Sequence, residues 1–522
     1  KLYLRMTSCQ LLTTQPPIVC NRLSLICSLA YNEESENNAY PDFRNISLYA
    51  ITVYSDTDVR SDAPGPWAWP IVGNLPSLGR KPHKYLTSLR EKYGDIYQIM
   101  MGSRPTIVLN GLNTIRKATI KQAEDFAGRP DFYTFRFLAN GKSMGFSNYG
   151  PRWKLHRKIA QNCLSSFTNK NSPIEQAIIS EAELLIKNLL SSNGKPIDPH
   201  NEIYLSVGNI ICALCFGKRY KRDDEDFVTL VKMNDKFMAT MGAGNPVDLM
   251  PWMRILTKRS FNVFLGILKT MDNFSLKKRK EHLDTYDPSN IRDVTDALIR
   301  ATEETSEEEK AEVGLTNEHI LLTVQELIGA GFDTIASTLQ WAVLFMITHP
   351  DIQEKVHNEI RKHVSMDRYP EFDDLEYLPF TEATIMEIMR HSCIFPFALP
   401  HSTTKDTLLD GYFIPESTLV FVNLWSVNYD PKVFPEPQQF NPNRFLENDG
   451  KTFGKTDTFL PFGAGRRKCP GEHLAKMELF IFFATMLQRC KLTSVPGKLP
   501  VIDSKYGLTL KPLDFEVLVS SR

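Results

Sequence analysis

Cys469 stands in the run Phe462–Gly471 (FGAGRRKCPG), with Arg466, Arg467 and Lys468 directly before it and a proline and a glycine directly behind it. From Glu472 to Arg489 the apolar spacing is strongly helical, so the cysteine sits just ahead of a helix N-terminus. Free backbone N–H groups and cationic neighbours there favour a thiolate and lower its pKa. Such a thiolate suits an iron centre as a strongly electron-donating axial ligand. For a lone cysteine the ordinary alternative is a buried structural thiol in a glycine turn. Gly463 to Gly465 lacks the preceding strand and the glycine spacing of a nucleotide loop.

Other constellations need a weighing of the same kind. Ala330–Thr334 (AGFDT) puts a glycine and an acid–hydroxyl pair, Asp333 and Thr334, inside an apolar helix, where they are locally unfavourable. The bland explanation is a kink whose polar groups are satisfied internally. Glu387 and Arg390, three residues apart, share a helix face as an ordinary ion pair would. Trp153 and Arg157 set an indole N–H and a guanidinium one helical turn apart. Cys212 and Cys215 have a zinc-like spacing, but no second ligand pair is near and the flanks are an apolar helix, so they read as core cysteines.

These residues need a scaffold, and the patterning supplies one. Lys81–Tyr93 reads as a helix, followed by a β pair, Ile96–Met101 and Thr106–Leu109, turning over Gly102–Pro105. Most of the rest is helical: Glu175–Leu190 is amphipathic, and Ile203–Phe216 is apolar enough to be buried. Gly242–Pro246 breaks two helical stretches, and the charge-dense Glu303–Glu312 reads as a solvated loop or helix end. The longest periodic segment is Thr316–Thr348, ended by Pro350; Gln325, Glu326, Asp333 and Gln340 argue for a helix through a protein core rather than through lipid.

The 522 residues carry 61 basic and 61 acidic side chains and no long basic tract, which points away from nucleic acid. Nine scattered cysteines do not resemble a disulfide framework and suit a reducing, cytosol-facing environment. Residues 1–62 read as an irregular leader with no recognisable anchor: the apolar run Leu23–Ala30 is far shorter than the roughly 20 residues a membrane span needs. Pro64, Pro66 and Pro70 then form a stiff linker, and 63–522 reads as a single domain.

The run Phe462–Gly471 fits the pattern F-x-x-G-x-R-x-C-x-G without a miss and resembles the signature of the cytochrome P-450 superfamily, the haem-thiolate monooxygenases. The resemblance covers about Pro64 to Val519 and implies a mainly α fold with small β-sheets, the haem lying between the long central helix and the cysteine loop. It makes Cys469 the axial ligand of haem b (iron protoporphyrin IX), beside Phe462. It assigns Thr334 to hydrogen-bond the bound oxygen or a nearby water, and Asp333 to relay protons from solvent. Trp153, Arg157, His401 and Arg467 are assigned to the haem carboxylates, which call for donors and cations. Glu387, Arg390 and Arg444 (in PNRF, where the family often has Glu at the place of Asn443) are implied to form a buried charged network that holds the cysteine loop.

Phe126–Tyr133, Gly242–Pro246, Asn290–Thr295, Gly329–Thr334 and Pro400–Thr404 resemble animal family one, the aryl-hydrocarbon and oestrogen hydroxylases, in a divergent form. By position, Phe135, Phe237, Phe264, Glu326, Ala330, Gly331, Phe332, Phe397, Leu399 and Leu508 are expected to line a substrate pocket suited to planar apolar ligands. Glu326, where most of the family has Asp, must meet solvent, a partner or a polar substrate group. The implied reaction inserts one atom of O2 into a small lipophilic aromatic or steroidal substrate. Because the chain has no flavin or nicotinamide fingerprint, electrons are expected from NADPH through a separate FAD/FMN reductase, docked on Lys154, Lys158, Arg466 and Lys468. The family implies the cytosolic face of the endoplasmic reticulum membrane. A haem-thiolate isomerase and a non-catalytic haem or lipophile carrier are the alternatives; the intact Asp333–Thr334 pair argues against the first, and the completeness of the motifs against the second.

Overall fold

Pro82 opens helix α1 (Pro82–Tyr93), in a first turn where its missing N–H costs nothing. The computed structural model describes residues 61–169, 172–242, 245–447, 450, 452–454 and 457–522. The expected leader therefore lies outside the described residues, apart from Ser61 and Asp62. Strands β1 (Ile96–Met101) and β2 (Arg104–Leu109) pair antiparallel, from Ile96 opposite Leu109 to Met101 opposite Arg104. Their turn is shorter than expected: Gly102, at φ +62°, and Ser103 suffice, and Pro105 joins the strand opposite Met100.

The helical body follows: α2 (Pro151–Phe167), α3 (Pro173–Leu190), α4 (His200–Phe216), α5 (Glu225–Gly242), α6 (Lys258–Asp284) and α7 (Val294–Glu304). Most of α4 is buried, with Cys212 and Cys215 wholly inside the apolar core. After α7, the acidic stretch expected as a solvated loop or helix end is largely exposed and forms a short helix, Glu307–Val313; its Lys310 is buried, and the ammonium donates to the Thr302 carbonyl at 2.8 Å and to Asn317 Oδ1 at 2.7 Å.

The expected central helix comes in two pieces, Asn317–Leu321 and α8 (Thr323–Thr348), interrupted at Leu322. Among the described residues Asn317–Thr348 is the one helical stretch apolar and long enough to cross a membrane, yet 83% of its most apolar window is buried inside the protein. It is the core helix, packed by α4, by α10 (Pro379–Ser392, reached through α9, Pro350–His363) and by α11 (Glu472–Arg489). Strands β3 (His401–Ser402) and β4 (Leu419–Val422) extend the first hairpin into a sheet of order β1-β2-β4-β3, in which β2 and β4 run parallel. The chain closes with β5 (Cys490–Ser494) and β6 (Val517–Ser521), paired antiparallel.

Candidate active site

A cavity of about 420 Å³ lies between α8 and the cysteine loop and is walled mainly by apolar atoms. Cys469 opens onto it from the loop, and Ala330, Gly331 and Thr334 face it from α8. The loop is locked by its own backbone. Cys469 N–H donates to the Phe462 carbonyl at 2.9 Å, and Lys468 N–H to Gly465 at 3.2 Å. At Gly465 φ is +69° and a Cβ would stand 1.6 Å from the Thr119 carbonyl oxygen, so only glycine fits there. Phe462 also lines the cavity.

The Cys469 thiol is exposed to the cavity rather than to bulk water. Burial pushes its pKa up; the Gly471 N–H and the Arg157 guanidinium pull the other way.

One wall is cationic. Arg157 Nη2 donates to the Lys468 carbonyl at 2.5 Å. Arg467 donates to the carbonyls of Ala127 and Ser147, both at 2.8 Å. Arg129 donates to those of Gly145 (2.9 Å) and Pro400 (2.8 Å). Burial lowers all three guanidinium groups, Arg129 to about 9 and Arg467 to about 8. Their hydrogen bonds go to carbonyls rather than carboxylates, so the wall is short of negative charge. A haem, with two carboxylates and an iron open to a thiolate, fits it. Arg129 was not among the residues expected here; with Asp131 two residues on, the segment Phe126–Tyr133 gave no clear sign that this arginine is the buried charge.

His401, placed by β3, donates Nδ1–H to the Phe126 carbonyl at 2.7 Å, and burial lowers its pKa to about 3. Trp153 differs from expectation: its indole N–H is taken by the Met144 carbonyl at 3.0 Å, and its ring lies 4.3 Å from the Arg467 guanidinium, so it props that cation instead of offering a free donor.

Asp333 also differs. Adjacent helical residues point about 100° apart, so while Thr334 faces the cavity, Asp333 is directed away from it and is fully buried. Its carboxylate accepts from Tyr204 (2.6 Å), Thr509 and Lys511 (2.6 Å). Thr334 donates to the Ala330 carbonyl at 3.0 Å.

Of the expected pocket residues, Phe237, Glu326, Ala330, Gly331, Leu399 and Leu508 line the cavity. Four stand behind it. Phe135 packs on Phe146, which does line it; Phe264 stacks on Phe237; Phe397 stacks on Phe421. Phe332 turns into the core near Gly208 of α4. Phe146 and Phe395 are lining aromatics that position in the sequence did not reveal.

Behind the loop, Glu387 and Arg390 have no solvent exposure. Arg390 binds both Glu387 oxygens (2.7 and 2.9 Å) and the Asn428 carbonyl (2.7 Å), and Arg444 Nε donates to Glu387 at 3.1 Å. Of the four cations expected to dock a partner, Lys154 and Arg466 pair with Glu124, Lys468 pairs with Glu472, and Lys158 is exposed.

Comparison with known proteins gives the class. The Cytochrome P450 family model matches residues 63–519. Cytochrome P450 1A1 of Platichthys flesus is 42% identical over 480 residues, 89% of this chain and 92% of that protein. Cytochrome P450 1A3 of Oncorhynchus mykiss is 41% identical over 490 residues (91% and 94%), and Cytochrome P450 1A5 of Gallus gallus 41% over 460 (86% and 87%). The chain belongs to the cytochrome P450 family, the haem-thiolate monooxygenases, and is similar to its 1A members.

Proposed function

We propose that this monooxygenase hydroxylates small apolar substrates, planar aromatic or steroidal, with O2 and with electrons from NADPH delivered by a separate FAD/FMN reductase. The observation that carries the reading is the pairing of Cys469 and Thr334 on facing walls of one apolar cavity, beside three buried guanidinium groups. Haem bound there supplies the one-electron and oxygen-activating chemistry.

The chain's own groups do the rest. The loop hydrogen bonds fix the Cys469 sulfur at the cavity. Arg129, Arg157 and Arg467 would hold the haem carboxylates, with Trp153 behind Arg467; His401, neutral and with its one N–H spent on the Phe126 carbonyl, anchors that segment beside them rather than donating to a carboxylate. Thr334 keeps its hydroxyl oxygen at the cavity wall, with the proton donated to the Ala330 carbonyl until a ligand competes for it. Asp333 reaches that hydroxyl only when its bonds to Tyr204, Thr509 and Lys511 open. Phe237, Phe146 and Leu508 exclude water and favour flat ligands. The exposed face carrying Lys154, Lys158, Arg466 and Lys468 docks the reductase, at the cytosolic face of the endoplasmic reticulum membrane.

The test is the carbon monoxide difference spectrum of the dithionite-reduced protein, followed by turnover with and without reductase. A strongly red-shifted Soret band in wild type, absent in Cys469→Ala, and reductase-dependent product formation are expected. Bound haem without that band means that Cys469 is not a thiolate ligand; product formation independent of reductase favours the isomerase alternative.

A further inference from the structure

Glu326 sits in the first turn of α8 and lines the cavity, where an acid would serve to recognise a polar substrate group. Both of its oxygens are already engaged. Oε1 accepts the Met144 N–H at 2.5 Å, and Oε2 accepts the Gly145 N–H at 2.9 Å. The segment so held is the one that carries the cationic wall. The Met144 carbonyl accepts from the Trp153 indole at 3.0 Å and from Arg467 at 3.4 Å; the Gly145 carbonyl accepts from Arg129 at 2.9 Å; the Ser147 carbonyl accepts from Arg467 at 2.8 Å.

The chemistry makes these bonds cooperative. The Met144 carbonyl and the Gly145 N–H belong to one peptide unit, with a carboxylate at the N–H end and a guanidinium and an indole at the carbonyl end. Each polarises the unit in the direction the other needs. Bonds to an ionised carboxylate are also the stronger kind. Burial raises the pKa of the Glu326 carboxyl, while the Met144 and Gly145 N–H groups and, more weakly, the Arg467 charge pull it back, so the geometry that holds the acid is the two amides rather than the ion pair.

We propose that Glu326 is a positioning residue for the haem carboxylates: it clasps Met144 and Gly145 to α8 and thereby aims Arg129, Arg467 and Trp153. The inference rests on the haem reading above. Glu326 acts through the 144–147 segment and does not select the substrate. Losing it loosens the cofactor before it alters ligand preference. Shortening the acid by one methylene withdraws both carboxylate oxygens from the two amides together, so length matters as well as charge.

The experiment uses haem-loaded wild type, Glu326→Gln and Glu326→Ala. The readouts are the rate of ferric haem transfer to excess apomyoglobin and the propionate bending bands in resonance Raman spectra, which report hydrogen bonding at the carboxylates and not global stability. Expected is haem loss about 10- to 100-fold faster in Glu326→Ala, with shifted propionate bands. Glu326→Gln, whose amide oxygen keeps one acceptor, should fall between. If Glu326→Ala does not fold, Glu326→Gln decides alone: wild-type transfer rate and unshifted bands overturn the proposal. They overturn it equally in Glu326→Ala, most plainly when substrate-induced spectral binding changes instead. A wild type without the red-shifted carbon monoxide band defeats the haem-thiolate reading itself, a separate failure visible before any variant is made.

Discussion

Lys511 Nζ lies 2.6 Å from the carboxylate of Asp333, a fully buried acid in the middle of the core helix. The same ammonium reaches Asp235 of α5 at 2.6 Å, so one cation ties the central helix to a second helix. Removing it strands a buried charge, the costly way to break such a pair. Lys511→Met is expected to lower unfolding free energy by about 3–5 kcal/mol, measured by urea denaturation. Adding Asp333→Asn should recover much of the loss, and no recovery means that the ammonium does not serve Asp333.

Two glycines of the cysteine loop separate two physical demands. Both Gly463 and Gly465 have φ +69°, but a Cβ on Gly463 meets nothing within 4 Å, while one on Gly465 collides with the Thr119 backbone. Gly463→Ala should cost the haem-free protein the left-handed penalty, about 1–2 kcal/mol. Gly465→Ala must displace the loop and should abolish haem retention. Haem content per polypeptide, read beside the melting temperature, compares them; equal effects would contradict the steric argument.

A Cβ on Gly331 would stand 2.4 Å from Ile211 Cδ1 and 2.8 Å from its Cγ1, on a buried side chain that also borders the cavity. Gly331→Ala is expected to cost about 1–3 kcal/mol by overpacking. Ile211→Val removes the offending methyl and should restore part of that stability in the double variant. A double-mutant cycle with no coupling is the contrary result.

His156 is buried against Thr323 Oγ1 (2.8 Å), and burial lowers its pKa from 6.5 to about 4. Between those values the unfolded chain binds the proton and the native one does not. Stability therefore falls as pH drops from 6.5 towards 4, by roughly 3 kcal/mol for this group, and is level above that window. His282, 2.8 Å from Asp293, has the opposite sign: its raised pKa contributes stability that is present below 6.5 and lost as pH rises through the folded value. His156→Gln should flatten the acid-side slope of unfolding free energy against pH while changing stability at pH 8 by only about 1 kcal/mol. An unchanged slope would show that His156 does not carry it.

Much of this molecule is local and was legible as such. The cysteine loop, the helix Glu472–Arg489 and the hairpin Ile96–Leu109 are written in turn residues and apolar period, which act over a few residues. The spacing of Glu387 and Arg390 likewise brings them onto one face of a helix. What periodicity does not encode is which neighbour a face meets. Asp333 and Thr334 are adjacent in sequence and diverge around the helix, one to Lys511 and one to the cavity. Phe264 and Phe237 are equally apolar, yet the stacking of one behind the other leaves only Phe237 at the wall. The partners of Glu326 and Arg129 are backbone groups of Met144, Gly145 and Pro400, which no side-chain motif announces. Sequence thus determined the chemistry available at Cys469 and the elements that carry it; the tertiary structure alone decided which charges face the cavity and which are spent holding it together, because those pairings arise from packing between segments far apart in the chain.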